Sequence, residues 1–363
     1  MRSSVDAVLQ VGGGVYGGWK AIQVATAMDR AAGQFGLQVT ELWPGADRTR
    51  QIRPGDACEL RLDEQVLVSG WVDVVDLGID AGRHEVAIAG RDKAADLVDC
   101  SAVRSPGQWR NRSVLDIAKD LAGPFGVAVA ADVDVGKPLA SFALQEGESV
   151  FEAIERAART RGLLVAADGV GGVVLTRAGV LRADEDLVFG HNILAAQARF
   201  DARDRYSVYL AKGQAPGSDY FNGTAAAHVQ ARAEDAQVTR YRPLLITGEA
   251  PDMAGSLRDR VQWEATVRAA KSMQVTITVA GWTQRSGQLW RPNRLVHVDA
   301  SPLRLDQDLL IVAVNYELAQ ETGSRTTLTL TRPDAFTLAP VAAPKAAAAA
   351  AGGQFWDVAG ARR

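Results

Sequence analysis

Apolar and polar residues alternate along two distant stretches of the 363-residue chain. In the first, Phe35, Leu37 and Val39 alternate with Gln34, Gln38 and Thr40, and Cys58, Leu60 and Leu62 alternate with Glu59 and Arg61. In the second, Val275, Ile277 and Val279 lead to Leu295-Val-His-Val298. Period two marks a strand with one face on a core. The stretches read as copies of one β unit. Each runs from an alternating strand to a Trp (Trp43, Trp282), a polar turn and an Arg-Pro pair (Arg53-Pro54, Arg291-Pro292). Each then has a second strand, an apolar run (Val66 to Val74, Leu309 to Tyr316) and a closing strand (Glu85 to Ile88, Thr327 to Leu330). Glycines and prolines at Gly12-Gly-Gly14, Pro44-Gly45, Pro54-Gly55-Asp56 and Ala81-Gly82 supply turns. Short strands joined locally favour a small barrel or sandwich over a parallel sheet.

Between the copies the period becomes helical. Ser113-Val-Leu-Asp116 opens a helix with Leu115, Ile117, Ala118 and Leu121, ending near Gly123-Pro124. Ser149-Val-Phe-Glu152 opens a second, with Phe151, Ile154, Ala157 and Ala158 inward. Leu163 to Val165 and Val173 to Leu175 flank a turn at Asp168-Gly169 and read as a hairpin. The predicted fold class is mainly β with an α+β insertion. The first tube-like barrel is expected over residues 1–98 and the insertion over 99–196. A second barrel is expected over 197–336, interrupted by a helix near 251–270. An Ala/Pro-rich tail over 337–363 follows, with linker composition. Its aromatic pair Phe355 and Trp356 is a candidate docking peptide, set against an ordinary frayed terminus. Two barrels in one chain suggest a ring in which three chains present six similar units.

Lys and Arg total 40 against 43 Asp and Glu, so net charge gives no reason to expect nucleic-acid or anionic-membrane binding. No apolar run is long enough to span a bilayer, so no membrane insertion is expected. Two cysteines, Cys58 and Cys100, make no disulfide framework, and Cys58 reads as a buried free thiol. The motif Gly12-x-Gly14-x-x-Gly17 matches a dinucleotide fingerprint in letters alone, because a strand rather than a helix follows it. His84, His191, His228 and His297 lack metal-ligand spacing. Glu146 with Glu148, and Asp184 with Glu185 and Asp186, read as solvated turns rather than a glycosidase pair. The arginines at 48, 50 and 53, at 104, 110 and 112, and at 199, 203 and 205 lie near acidic residues and read as surface or interface ion pairs. No catalytic residue, cofactor site or metal site is expected.

The run Arg53-Pro-Gly-Asp-Ala-Cys-Glu-Leu-Arg-Leu, then Ser69-Gly-Trp-Val-Asp-Val and Ala89-Gly-Arg-Asp-Lys, resembles the baseplate hub proteins of Mu-like contractile-tailed phages. Gly107-Gln-Trp109-Arg-Asn111, Tyr241-Arg-Pro-Leu-Leu-Ile246 and Leu289-Trp-x-Pro-Asn293 extend the resemblance over residues 5 to 336. It implies a fold related to the hub of T-even-type tails and to the N-terminal half of type VI secretion spike proteins. It also implies a structural homotrimer with pseudo-sixfold symmetry, joining a hexameric tail tube or tube initiator to a trimeric membrane-piercing spike. Baseplate wedge proteins and the tape measure protein are further implied neighbours, with DNA passing the lumen unbound. The implied location is the virion, after assembly in the host cytoplasm. The same part in a headless tailocin or type VI-like injector is the alternative within the class. A cell-wall hydrolase or a carbohydrate-binding β protein is the alternative outside it.

Overall fold

The computed structural model describes residues 7–40, 52–79, 84–213, 229–247 and 254–339. The first β unit holds β1 (Ala7–Val11), β2 (Gly14–Tyr16), β3 (Ala21–Ala27), β4 (Gln34–Thr40), β5 (Ala57–Leu62), β6 (Gln65–Ile79) and β7 (His84–Asp92). The insertion follows with α1 (Ala95–Asp99), β8 (Gln108–Arg112), α2 (Val114–Ala122), β9 (Val129–Ala131), β10 (Leu139–Ala143), α3 (Val150–Arg159), β11 (Leu164–Ala167) and β12 (Val173–Thr176). The chain then forms β13 (Leu181–Arg182), β14 (Leu187–Val188), β15 (Ile193–Phe200), β16 (Val208–Gly213), β17 (Val229–Glu234), β18 (Pro243–Thr247) and α4 (Ala254–Lys271). It ends with β19 (Met273–Ala280), β20 (Arg294–Ala300), β21 (Leu305–Ala319) and β22 (Gly323–Thr331).

The two β units share one sheet. Its strand order is β15-β19-β22-β21-β3-β4-β7-β6-β5-β1-β2, with β20 on β21 and the short β13 and β14 on β20. The seam is the antiparallel pair β21 and β3, from Ala313 opposite Ala27 to Ala319 opposite Ala21. One hydrophobic cluster runs through both units, from Leu9, Leu37 and Ile88 to Ile277, Tyr316 and Leu328.

The repeat is visible in register as well as in sequence. Leu37 faces Ile88 in the first unit, and Ile277 faces Leu328 in the second. Both long strands, β6 and β21, are 15 residues. Each carries a bulge at the same place against its partner, between Val72 and Val74 and between Ile311 and Ala313. A bulge bends a strand and sharpens its twist, so each long strand serves two sheet regions. Its first half pairs with β5 or β20, and its second half runs on beside β7 or β22.

The insertion has its own core, built from Leu97, Ile117, Leu121, Ile154, Ala157 and Leu175. Ser149 Oγ accepts from the Glu152 N–H at 3.2 Å while the Glu152 carboxylate accepts from the Ser149 N–H at 2.8 Å, a complete capping box. Ser113 likewise accepts from the Asp116 N–H, at 3.1 Å. At that site Asp replaces Glu, one methylene shorter, and no return bond forms. A third core was not anticipated. The order β17-β16-β18 forms a small sheet, and α4 lays Leu257, Val261 and Ala265 on Tyr209 and Ala211.

Asp92 closes the first unit where it passes into the insertion. It is buried, and its two oxygens accept from the Gly33 N–H at 2.6 Å and the Ala94 N–H at 3.0 Å. Burial raises its pKa to about 6, opposed by those two hydrogen bonds. A raised carboxyl pKa makes a contribution to stability that is complete below the unfolded value of 3.8 and is lost as pH rises through 6. That contribution is at most about 3 kcal/mol. A carbon-detected titration of the Asp92 carboxyl should show a midpoint near 6; an ordinary carboxylate midpoint would mean that the site is hydrated.

Candidate assembly surface

One side chain in two along the shared sheet enters the core, and the others form a broad opposite face. On β3 this face carries Gln23 and Ala25, on β4 Gly36 and Gln38, and on β7 Ala87 and Ala89. The second unit repeats it with Thr276 and Thr278 on β19 and Thr327 and Thr329 on β22. Thr278 and Thr327 hydrogen-bond across the strands at 3.3 Å. Small and polar residues dominate. The charged groups on this face are of both signs, with Asp76, Glu85 and Glu317 against Arg91, Arg199 and Arg325. Ala21, Gln23, Gln38, Asp76, Ala87 and Glu317 line a shallow depression of about 390 Å³ across the seam.

Behind the seam sits an aromatic cluster. Tyr316 on β21 packs against Trp282 with ring centroids 5.8 Å apart. The Tyr316 hydroxyl donates to the Trp290 carbonyl, and the Trp282 indole N–H donates to the Glu317 carbonyl at 3.0 Å. Burial pushes the Tyr316 phenol pKa up, so it stays a neutral donor.

The Arg-Pro motif of the second unit fastens three parts together. The Arg291 guanidinium donates to the Gly169 carbonyl at 2.8 Å in the insertion and to the Val66 carbonyl at 3.0 Å in the first unit. Asn293 adopts φ +57°, a conformation that Asn tolerates better than most residues. Its side chain accepts from the Gly179 N–H at 2.9 Å and donates to Thr176 Oγ at 3.0 Å. The matching position in the first unit is Gly55, at φ +90°.

The residues weighed for chemistry are brought into structural roles. Gly12 and Gly13, both at positive φ, form the tight turn joining β1 to β2. Glu148 accepts from the Gln145 N–H and pairs with Arg156 at 2.7 Å. Glu185 accepts from the Arg285 N–H, and Asp184 accepts from Ser286 Oγ, tying the β13–β14 region to the loop before β20. His297 lies beside Asp306 and Asp308, and bidentate Arg182 with His297 brings the Asp308 pKa down to about 2. Cys58 is a buried free thiol, its pKa pushed up to about 12 by burial. Arg205 pairs with Asp235 at 2.7 Å, while Arg199 and Arg203 both reach Asp201. Among the described residues no cluster of three or more His, Cys, Asp or Glu could hold a metal ion, and no helix is long and apolar enough to cross a membrane. Phe355, Trp356 and His228 lie outside the described residues.

Comparison with known proteins decides the family. The chain is 36% identical over 341 residues to the baseplate hub protein gp44 of Escherichia phage Mu, covering 92% of this chain and 89% of that one. The chain belongs to the baseplate hub family of Mu-like phages. Family models match along most of its length: Mu phage baseplate assembly protein GpP-like, N-terminal, over 6–92; baseplate hub protein gp44-like, second domain, over 94–177; and GpP, fourth domain, over 253–339. The prophage MuSo2 43 kDa tail protein from Shewanella oneidensis has the same fold, with a TM-score of 0.80, 33% identity, and coverage of 92% of this chain and 99% of that chain. The E. coli c3393 protein is a type VI secretion component described as structurally similar to T4 tail proteins gp27 and gp5. It shares the fold at a TM-score of 0.54 and 9% identity, over 92% of this chain and 79% of that chain. A hub of this family is a structural part of the phage tail baseplate.

Proposed function

We propose that this hub is a trimeric symmetry adaptor between a sixfold tail tube and a threefold spike. The observation that carries the reading is the repeat: two β units with the same strand order, register and bulge position in one chain. A sixfold tube cannot make six equal contacts with an ordinary trimer. Three chains with two equivalent units each offer six similar sites on one side and three on the other, and cyclic closure limits the assembly. The neutral, small-residue face of the shared sheet lines the lumen. With cations matched by carboxylates there, phosphate binding stays weak and DNA passes without being held. Tube or tube initiator, spike, wedge proteins and tape measure are the proposed neighbours. The virion baseplate is the site of action, reached by assembly in the host cytoplasm.

The test is the solution mass of the purified full chain, alone and with its trimeric spike, together with negative-stain images. A particle of three chains with a central hole and a six-lobed outline is expected. A stable dimer, or a trimer without a lumen, would overturn the reading.

A further inference from the structure

We propose that the second half of β6 pairs antiparallel with β15 of a neighbouring copy, in the register that β21 keeps with β3. This rests on the ring reading above and names the surface that closes it.

The two halves of β6 differ. Gln65 to Trp71 pair with β5 on one edge. Beyond the bulge, Val74 to Ile79 pair with β7 alone, and no described strand covers the other edge. The equivalent half of β21 is covered, by β3. Strand β3 stands beside β4 as β15 stands beside β19: Ile22 faces Leu37, and Ala196 faces Ile277. Among the described residues, strand β15 pairs with β19 alone. Among the described residues the chain therefore carries two open edges that are copies of the two edges already joined at its seam.

Side chains agree with this. Leu77 occupies the place of Tyr316, yet it is 68% exposed while Tyr316 is 1% exposed. Ile79 is 80% exposed and Phe200 61%, apolar positions that an isolated chain leaves in water. An unpaired, apolar edge normally invites another strand. Transferring the seam register sets Leu77 opposite Ala198 and Ile79 opposite Ala196 on the core face. On the opposite face it sets Asp76 across from Arg199, an opposite-charge pair of the kind that favours one register. The edges differ from each other, so each chain offers one of each, and the contact propagates head to tail into a closed ring.

Directly opposite residues of an antiparallel pair have Cα atoms about 4.5–5.5 Å apart, within disulfide range. The full chain carrying Leu77→Cys and Ala198→Cys should, on mild oxidation, give covalent dimers and trimers on a denaturing non-reducing gel. Leu77→Cys with Gln197→Cys, one residue out and on the other face, should cross-link at least tenfold less. Each single variant should run as one chain. A trimer by mass in which the 77/198 pair does not cross-link, or cross-links no better than 77/197, overturns the strand pairing and leaves the ring standing. A chain that fails to trimerise both alone and with spike overturns both.

Discussion

Gly90→Ala is expected to lower the stability of the chain by about 4 kcal/mol or more, among the largest effects of any single methyl. A Cβ on Gly90 would lie 2.1 Å from the Trp71 carbonyl and 2.7 Å from the Phe35 ring. One on Gly70 would lie 2.0 Å from the Arg91 carbonyl and 2.5 Å from Asp92 Cα. The nearest obstacle at each glycine is a backbone carbonyl, which cannot swing aside as a flexible side chain does. Neither glycine has positive φ, so the requirement is for space where β6 crosses β7 next to its bulge. In the second unit the matching positions hold Leu309 and Leu330, both fully buried, so the tight crossing belongs to the first unit alone. Urea unfolding of Gly90→Ala and Gly70→Ala measures the loss. Gly36→Ala is the control, since a Cβ there meets nothing within 4 Å, and it should stay within about 1 kcal/mol of the parent. A parent-like midpoint for Gly90→Ala would mean that the two strands do not approach as described.

Strand identity was legible wherever one face is buried and the other is wet. The alternation at Phe35, Leu37 and Val39, and at Val275, Ile277 and Val279, is the alternation of buried and accessible positions in β4 and β19. The insertion helices were legible through their caps, because Ser149 and Glu152 satisfy end groups locally. The seam was not legible. Residues 313–319 and 21–27 lie at opposite ends of the chain, and no local pattern says that their strands are neighbours. The small sheet under α4 was missed for a different reason. Its strands bury alanines, at Ala211, Ala231 and Ala233, and alternating alanine with arginine gives a faint period-two signal. For the assembly surface, the sequence shows polar positions on strands but not which of them share one face across the seam. That needs the strand order, which only folding supplies.

Tyr316 and Leu77 stand at equivalent places in the two long strands, and their substitution should separate stability from assembly. Tyr316→Ala removes a fully buried ring, its packing on Trp282 and its hydrogen bond to the Trp290 carbonyl. It should cost about 3–5 kcal/mol in unfolding free energy, the range for truncating a buried aromatic. Tyr316→Phe keeps the ring and leaves the Trp290 carbonyl without this donor, for about 1 kcal/mol. Leu77→Ala should change the unfolding free energy of the isolated chain by no more than about 0.5 kcal/mol, because an exposed side chain loses few contacts on truncation. Its effect should appear in the trimer instead, as dissociation at a higher chain concentration in mass measurements on dilution. The contrast follows from one physical difference: the same strand position is covered by β3 of its own chain in one unit and is exposed in the other, where the proposed ring would cover it with β15 of the next chain. If Leu77→Ala unfolded the isolated chain as readily as Tyr316→Ala, the side chain at 77 would already be covered from within, and the open edge of β6 would not be the place where neighbouring hubs meet.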